Sequence, residues 1–362
     1  MLQLNSISLV QFKNYAGASF SFHQQVIGIC GPNGIGKTNL LDAIHYLCFT
    51  KSYFSRTDIQ NVFPGTQGFR IEGNFKKEND LLHVVCILRE TGRKEFIVND
   101  EPYTKFARHI GQLPCVIIAP DDIQIITAAS EERRRFLDVL LSQLDAEYLR
   151  NLMTYMRVLQ QRNSFLRQAG ESRDFDQELL TVYDDQLIQT GEYIFQQRQE
   201  FLQTFIPRVI AFYQKISGTL EPLSIAYESR LQTTNFRMLL DGCRDKDLLL
   251  QRTNTGIHKD DLGILLGELP FKSIASQGQR KSLLFALKLA EFEVLKEAKG
   301  FSPLLLLDDV FEKLDADRMH QLLRWVCRES DGQIFITDTH ADRIKNHLDE
   351  ITPDYQMIVL GQ

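Results

Sequence analysis

The chain has 362 residues, with 41 Lys plus Arg against 47 Asp plus Glu, a formal net charge of −6. A hydrophobic fraction of 43%, a charged fraction of 24% and 24 Phe exclude disorder as the main state. At this length two domains, or one domain with a large insertion, are expected, because single cores stop growing near ~250–300 residues.

Read in chain order, Leu4 to Leu9 and Ser19 to Phe22 alternate apolar and polar residues, the period of half-buried strands. Val26 to Cys30 is continuously apolar, which suits a strand buried on both faces of a parallel sheet. Thr38 to Phe49 reads as a helix through Leu40, Leu41, Ile44, Leu47 and Cys48. Three strand-like runs follow between Phe69 and Val98, and Asn99-Asp100 reads as a turn. Helical spacing then takes over, from Glu131 to Gln168 and from Asp176 to Ser217, broken by Gly170-Glu171-Ser172. This helical stretch is far too short for a long coiled-coil arm. Beyond Thr255 the sheet-like texture returns, with apolar runs at Pro303–Leu307 and Gln333–Ile336 that end in polar residues. In an open α/β sheet, ligands collect at such carboxyl ends.

No run of about 18 apolar residues is present to span a bilayer, and Met1-Leu2-Gln3-Leu4-Asn5 lacks the basic start of a secretory signal. The six cysteines are scattered without a Cys-x-x-Cys pair, as in a reducing compartment, so a cytoplasmic protein is expected.

The sharpest motif is Gly31-Pro32-Asn33-Gly34-Ile35-Gly36-Lys37-Thr38, which fits G-x-x-x-x-G-K-[ST] between a buried strand and a helix. With glycine at about 7% of residues, the fixed positions alone recur by chance in roughly one chain of this length in a hundred. The glycines let successive N–H groups converge on one anion, and the helix start adds unpaired donors. Lys37 is expected to reach the β- and γ-phosphates of ATP, and the Thr38 hydroxyl to ligate Mg²⁺. Asn33, Gly34, Ile35, Gly36 and Asn39 complete the expected contacts. Asp308 and Asp309 close a run of leucines. The first is placed to hold Mg²⁺ beside Thr38, and the second to orient or deprotonate the attacking water, since alternate residues of a strand end face different ways. Ser276-Gln277-Gly278-Gln279 opens a further helix. Ser-x-x-Gln is a capping box that needs no ligand, yet a glycine in the first turn weakens a helix and leaves room for a phosphate.

Together these segments resemble the ATP-binding-cassette heads of the SMC class, and the whole chain resembles the RecF family of bacterial DNA replication and repair proteins. The resemblance runs through Phe12-Lys13-Asn14-Tyr15, Gly36 to Ile44, Ala119-Pro120-Asp121-Asp122 and Arg133-Arg134-Arg135-Phe136-Leu137-Asp138. It continues through Gly256-Ile257-His258-Lys259-Asp260-Asp261-Leu262, Ser276 to Arg280 and Leu307 to Phe311. Three departures stand out. Asp121 replaces a usual glutamate, Lys259 a usual arginine, and Glu312-Lys313-Leu314-Asp315 a usual Ser-Glu-Leu-Asp.

The resemblance implies an α/β phosphate-loop ATPase head with a mixed sheet, at 1–125 and 255–362, carrying a helical inserted subdomain at 126–254 as a short arm. It implies an ATP-dependent homodimer in which Ser276, Gln277, Gly278 and Gln279 of one copy cover the γ-phosphate held by the other. Weak DNA-stimulated ATPase activity, slow hydrolysis as the release step, binding to double-stranded DNA near single-strand junctions, and partners like RecR and RecO in loading recombinase are also implied. Lys13 and Asn14 are expected near the nucleotide. Thr337, Asp338 and His340 compete as γ-phosphate sensor. Arg133, Arg134, Arg135, His258 and Lys259 are candidates for DNA or interdomain contact. The competing readings are an energy subunit of a membrane transporter, a metal-dependent nuclease and an ATP-binding scaffold without turnover. The first is disfavoured by the helical insertion, the second by the roughly 50 residues left after Asp309, and phosphate release with DNA present would separate the third.

Overall fold

A computed structural model describes residues 1–172, 176–310, 323–329, 331–352 and 354–361. The first 123 residues build one sheet, supply two strands of another and carry one long helix. Strands β1 (Leu2–Phe12) and β2 (Tyr15–Ser21) form a hairpin, followed by β3 (Val26–Cys30) and helix α1 (Lys37–Phe49). Then come β4 (Phe69–Lys77), β5 (Asp80–Leu88), β6 (Lys94–Val98), the short β7 (Glu101–Pro102) and β8 (Cys115–Ile118). Asn99 and Asp100 both take positive φ, 49° and 65°, and make the tight turn between β6 and β7. Strands β2-β1-β4-β5-β6-β7 form a wholly antiparallel sheet. Helix α1 touches β4 and β5 of this sheet, and also β8 of the parallel one, so its residues are buried nearly all round.

The middle of the chain is helical. After the one-turn α2 (Gln124–Thr127) come α3 (Ser130–Leu144), α4 (Ala146–Ser172) and α5 (Gln177–Ser217). The stretch expected as one helix from Glu131 is two, because Asp145 leaves the helical conformation and its carboxylate accepts the Glu147 N–H at 2.7 Å. Strand β9 (Leu223–Glu228), helix α6 (Phe236–Leu250), strands β10 (Asp261–Leu266) and β11 (Leu269–Pro270) and the one-turn α7 (Phe271–Ile274) follow. The three strands make a small antiparallel sheet, β11-β10-β9.

The chain then returns with α8 (Gln277–Lys299), β12 (Leu304–Leu307), β13 (Ile334–Asp338), α9 (Ala341–Ile351) and β14 (Tyr355–Val359). These complete a parallel five-stranded sheet, β14-β3-β13-β12-β8, so the expected mixture of strand directions is realised as two separate sheets. Every residue of β3, β8, β12 and β13 is buried, as the unbroken apolar runs require. Trp325 is buried edge-on to Phe212 and Phe292 at 5.3 and 5.8 Å. Glu312 to Asp315 lie outside the described residues.

Two compact units result. One comprises residues 1–123, 212–218 and 277–362, and the other 124–211 and 219–276, so the stretch 255–276 groups with the helices. Among the described residues no helix is long and apolar enough to cross a membrane.

Candidate functional site

Strand order places the carboxyl ends of β3, β13 and β12 side by side, and the Gly31–Gly36 loop leaves from the first of them. Gly31, Gly34 and Gly36 take φ of 153°, 80° and 120°. At Gly36 the constraint is also steric: a Cβ would lie 2.7–2.9 Å from the Asn14 amide and the Tyr15 hydroxyl. Those two side chains brace the loop from the β1–β2 turn, Asn14 Nδ2 donating to Ile35 O at 2.8 Å and Tyr15 Oη to Gly36 O at 3.0 Å. Asn39 in turn donates to Asn14 Oδ1 at 2.8 Å. Gly36 is the N-cap of α1 and offers no side-chain cap, so the helix begins with unpaired N–H groups facing the loop. Lys37 is 6% exposed, and its ammonium donates to Gly31 O at 2.7 Å and Pro32 O at 3.1 Å and so spans the loop it would serve.

Thr38 Oγ1 lies 3.0 Å from both carboxylate oxygens of Asp308. Thr337 Oγ1 donates to Asp308 Oδ1 at 2.8 Å and accepts the Asp309 N–H at 3.0 Å. Asp308 is 4% exposed, and burial pushes its pKa up; the two hydroxyls offset part of that rise and the charge of Asp309 adds to it. Hydroxyl and carboxylate oxygens are the hard donors that Mg²⁺ prefers, and a divalent cation there would keep Asp308 ionised, so the donor set fits the expected ion. Strand β12 ends at Leu307, and Asp309 takes φ 52°, so the left-handed turn, not strand alternation, sets the different directions of the two aspartates. Of the three sensor candidates, Thr337 anchors both aspartates. Asp338, fully buried, accepts the His340 N–H at 2.7 Å and Arg343 Nη1 at 3.2 Å. The His340 side chain is 68% exposed at the head of α9.

Lys13 does not lie free beside the loop. Its ammonium pairs with Asp42 on α1 at 2.5 Å, and Asp42 also accepts Ser52 Oγ at 2.6 Å and the Tyr53 N–H at 2.7 Å. The Tyr53 hydroxyl donates to Asp122, which accepts the Ala119 N–H at 2.9 Å and sits 4.0 Å from Lys288 on α8. Lys288 pairs with Glu291 at 3.4 Å, both buried. A run of buried ions thus links α1 to α8 behind the loop, and sequence reading passed over it. Its signal was present: Asp42, Lys288 and Glu291 each interrupt an otherwise apolar helical face. Ser276 and Gln277 are exposed at the start of α8, and Gly278 and Gln279 are half-buried.

The remaining candidates lie in the other unit. Arg133 is buried and grips Asp261 through Nε and Nη2 at 2.7 and 2.9 Å. His258 accepts the Tyr155 hydroxyl at Nδ1 (2.8 Å) and donates from Nε2 to Thr253 O (3.2 Å), and burial lowers its pKa to about 4. Neither is available to an external ligand: the guanidinium and the imidazole are both consumed by internal partners. Arg134 is half-buried and donates to Asp260 O at 2.6 Å, while Arg135 and Lys259 are exposed.

Residues 3–356 match the profile of a family described as RecF/RecN/SMC N terminal domain. A DNA replication and repair protein RecF from Flavobacterium johnsoniae is 42% identical over 342 residues, covering 94% of this chain and 95% of that protein. The RecF of Bacteroides thetaiotaomicron is 38% identical, covering 99% and 97%. Among solved structures, the recombination mediator protein RecF-ATPrS in the RecFOR pathway superposes with a TM-score of 0.87 at 27% identity, covering 99% of this chain and 97% of that one. A Pyrococcus furiosus Smc head with an extended coiled coil shares the fold alone, with a TM-score of 0.57, 14% identity and coverage of 99% and 94%.

Proposed function

The chain belongs to the RecF group of the RecF/RecN/SMC family, and from that premise we propose that it is an ATP-gated clamp on duplex DNA, acting in replication and repair near single-strand gaps. The observation that carries the reading is the joining of Thr38, in the first turn of α1, to Asp308 and Thr337 at adjacent strand ends beside the Gly31–Thr38 loop. That arrangement suits a triphosphate and its metal, and relatives of the same length have solved structures named with ATP and ATPrS.

In this reading the open N–H groups at the start of α1 hold the phosphates, and Lys37 exchanges the carbonyls of Gly31 and Pro32 for phosphate oxygens. Thr38 and Asp308 would hold Mg²⁺, which when bound would supply positive charge against the phosphate oxygens. Asp309 orients or deprotonates water, and Thr337 keeps both aspartates in place. With Thr337 so committed, the exposed His340 is the better placed γ-phosphate sensor. The half-exposed start of α8, Ser276 to Gln279, covers the triphosphate of a second copy, so only the triphosphate state favours the pair. Turnover is slow because the site must first assemble; it is stimulated by DNA, and hydrolysis releases the clamp. The head is taken as 1–123, 212–218 and 277–362 and the arm as 124–211 and 219–276, in place of the expected 1–125 with 255–362 and 126–254. RecR-like and RecO-like partners in a cytoplasmic setting, and a role in loading recombinase, follow from the family.

The test measures retention of duplex and gapped DNA with no nucleotide, with ATP and with a non-hydrolysable analogue, across salt. Retention should require triphosphate, fall steeply with salt and vanish in Lys37→Ala. Equal retention with and without nucleotide, or light scattering showing the same monomer content in both, would refute the clamp.

A further inference from the structure

The turn between β1 and β2 meets the Gly31–Thr38 loop from outside. Phe12 pairs with Tyr15, so Lys13 and Asn14 form a two-residue hairpin turn. That turn is tied down at three points. The Lys13 N–H donates to Asn61 O at 2.7 Å, and the Lys13 ammonium pairs with Asp42 on α1 at 2.5 Å. Asn39, about one turn before Asp42 on the same helix, donates to Asn14 Oδ1 at 2.8 Å. From this fixed base two donors reach the loop: Asn14 Nδ2 holds the carbonyl of Ile35, and Tyr15 Oη holds that of Gly36. Burial raises the Tyr15 pKa to about 12, so the hydroxyl keeps the proton it donates at neutral pH.

Peptide geometry turns these two bonds into an orientation. In a planar trans peptide the C=O and the N–H that follows it point in opposite directions. The Ile35 carbonyl and the Gly36 N–H share one such plane, and the Gly36 carbonyl and the Lys37 N–H share the next. Holding both carbonyls toward the β1–β2 turn therefore aims both N–H groups away from it, and neither has an acceptor among the described residues. The aim has to be held. Gly34 and Gly36, with φ of 80° and 120°, flank Ile35 and let its peptide planes rotate at little cost. A plane turned over would present an oxygen to an anion in place of a hydrogen.

We propose that Asn14 and Tyr15 are positioning residues of the phosphate loop: they hold the carbonyls of Ile35 and Gly36 outward so that the Gly36 and Lys37 N–H groups face a bound phosphate. Asn39 acts one step behind them by orienting the Asn14 amide. Asn14 and Asn39 thus serve the nucleotide without touching it. Their role rests on the reading of the loop as a triphosphate site.

The experiment measures ATPase kinetics and tripolyphosphate binding in full-length Asn14→Leu, Tyr15→Phe and Asn39→Ala, counting only the binding that Lys37→Ala abolishes. The Asn14 side chain is exposed, so folding should be retained, with thermal melting as the check. Leucine has the size of asparagine but cannot donate. Asn14→Leu should raise KM for ATP and Kd for tripolyphosphate alike, each about tenfold. The N–H groups bind the same phosphates before and during reaction, so kcat should stay within about twofold. Tyr15→Phe should act the same way but more weakly, about threefold, because the Leu40 N–H also holds Gly36 O at 2.9 Å. Asn39→Ala should cost about threefold alone and nothing further once Asn14 is leucine. Unchanged affinities in Asn14→Leu would overturn the proposal. A loss confined to ATP would also overturn it, by placing Asn14 against base or sugar, and so would additive losses at 14 and 39, by putting both amides directly on phosphate. If the wild type binds neither ATP nor tripolyphosphate, the triphosphate reading fails and the proposal falls with it; normal wild-type binding separates the two failures.

Discussion

Both units bury carboxylates and set most of them against cations of the same chain, as Asp42 with Lys13 and Glu291 with Lys288 in the head, but Asp308 is compensated in a different way. In the helical unit each deeply buried acid faces an arginine. Arg162, fully buried, donates to Asp184 and Asp247 at 2.7 Å each, and Arg198 donates to Asp138 at 2.7 Å and to Asp260 at 3.4 Å. In the head, Asp308 is just as buried, yet among the described residues its hydrogen-bond partners are two hydroxyls and it makes no ion pair. Burial pushes Asp184, Asp260 and Asp308 all above the ordinary carboxylate range. What separates them is therefore the partner. An acid given a cation by its own chain is scaffold; an acid given only hydroxyls is left to meet a cation that arrives from outside.

Substitutions on the two sides should behave oppositely. The largest effect belongs to the scaffold: Arg198→Met strands Asp138 and Asp260 and should cost about 3–5 kcal/mol of stability, read by denaturant unfolding, while ATP affinity of the protein that remains folded stays unchanged. On the other side, Asp308→Asn should lower Mg²⁺-dependent phosphate release about 100-fold without lowering the melting temperature, because it removes an uncompensated buried charge. A melting temperature several degrees lower would show that Asp308 is scaffold after all. Thr337→Val is gentler. It removes one hydrogen bond to Asp308 and one from the Asp309 N–H, and should raise the Mg²⁺ concentration needed for half-maximal ATPase about tenfold, a loss of about 1.5 kcal/mol.

The effect that is smallest at neutral pH, and grows only in acid, is a pH dependence. With its pKa lowered to about 4, folded His258 stays neutral where the unfolded chain, near 6.5, takes up a proton. The unfolded state therefore binds more protons between those values, so stability is lost as pH falls below 6.5 toward 4. His45 and His109, also lowered to about 4, act in the same direction. His258→Gln should shrink this loss by one histidine's share, measured as the slope of unfolding free energy against pH; an unchanged slope would mean that His258 titrates alike in both states.

The contrast between the units also marks what the sequence made legible. Local chemistry was readable: the glycine loop, the all-apolar strands β3 and β12 and the long α5 follow from spacing and from residues that admit one conformation. Partner choice was not. That Asp42 would hold Lys13, or that Arg133 would turn inward to Asp261 128 positions away, depends on which elements pack together, and no single-residue pattern encodes that. The same limit applied at Asp309. Its neighbours read as strand, and only the positive φ, a property of the turn that follows Leu307, sets where the carboxylate points. The competition among Thr337, Asp338 and His340 could be narrowed only once hydroxyl, carboxylate and imidazole had positions.

Trp325 is the single tryptophan in the chain, and it is enclosed between Phe212, near the end of α5, and Phe292 on α8. Intrinsic emission excited at the indole band therefore reports from one place. Quenching or a red shift on adding ATP would register loosening where the last turns of the long helix meet the ATPase fold, with no label introduced and no second fluorophore of its kind to deconvolute.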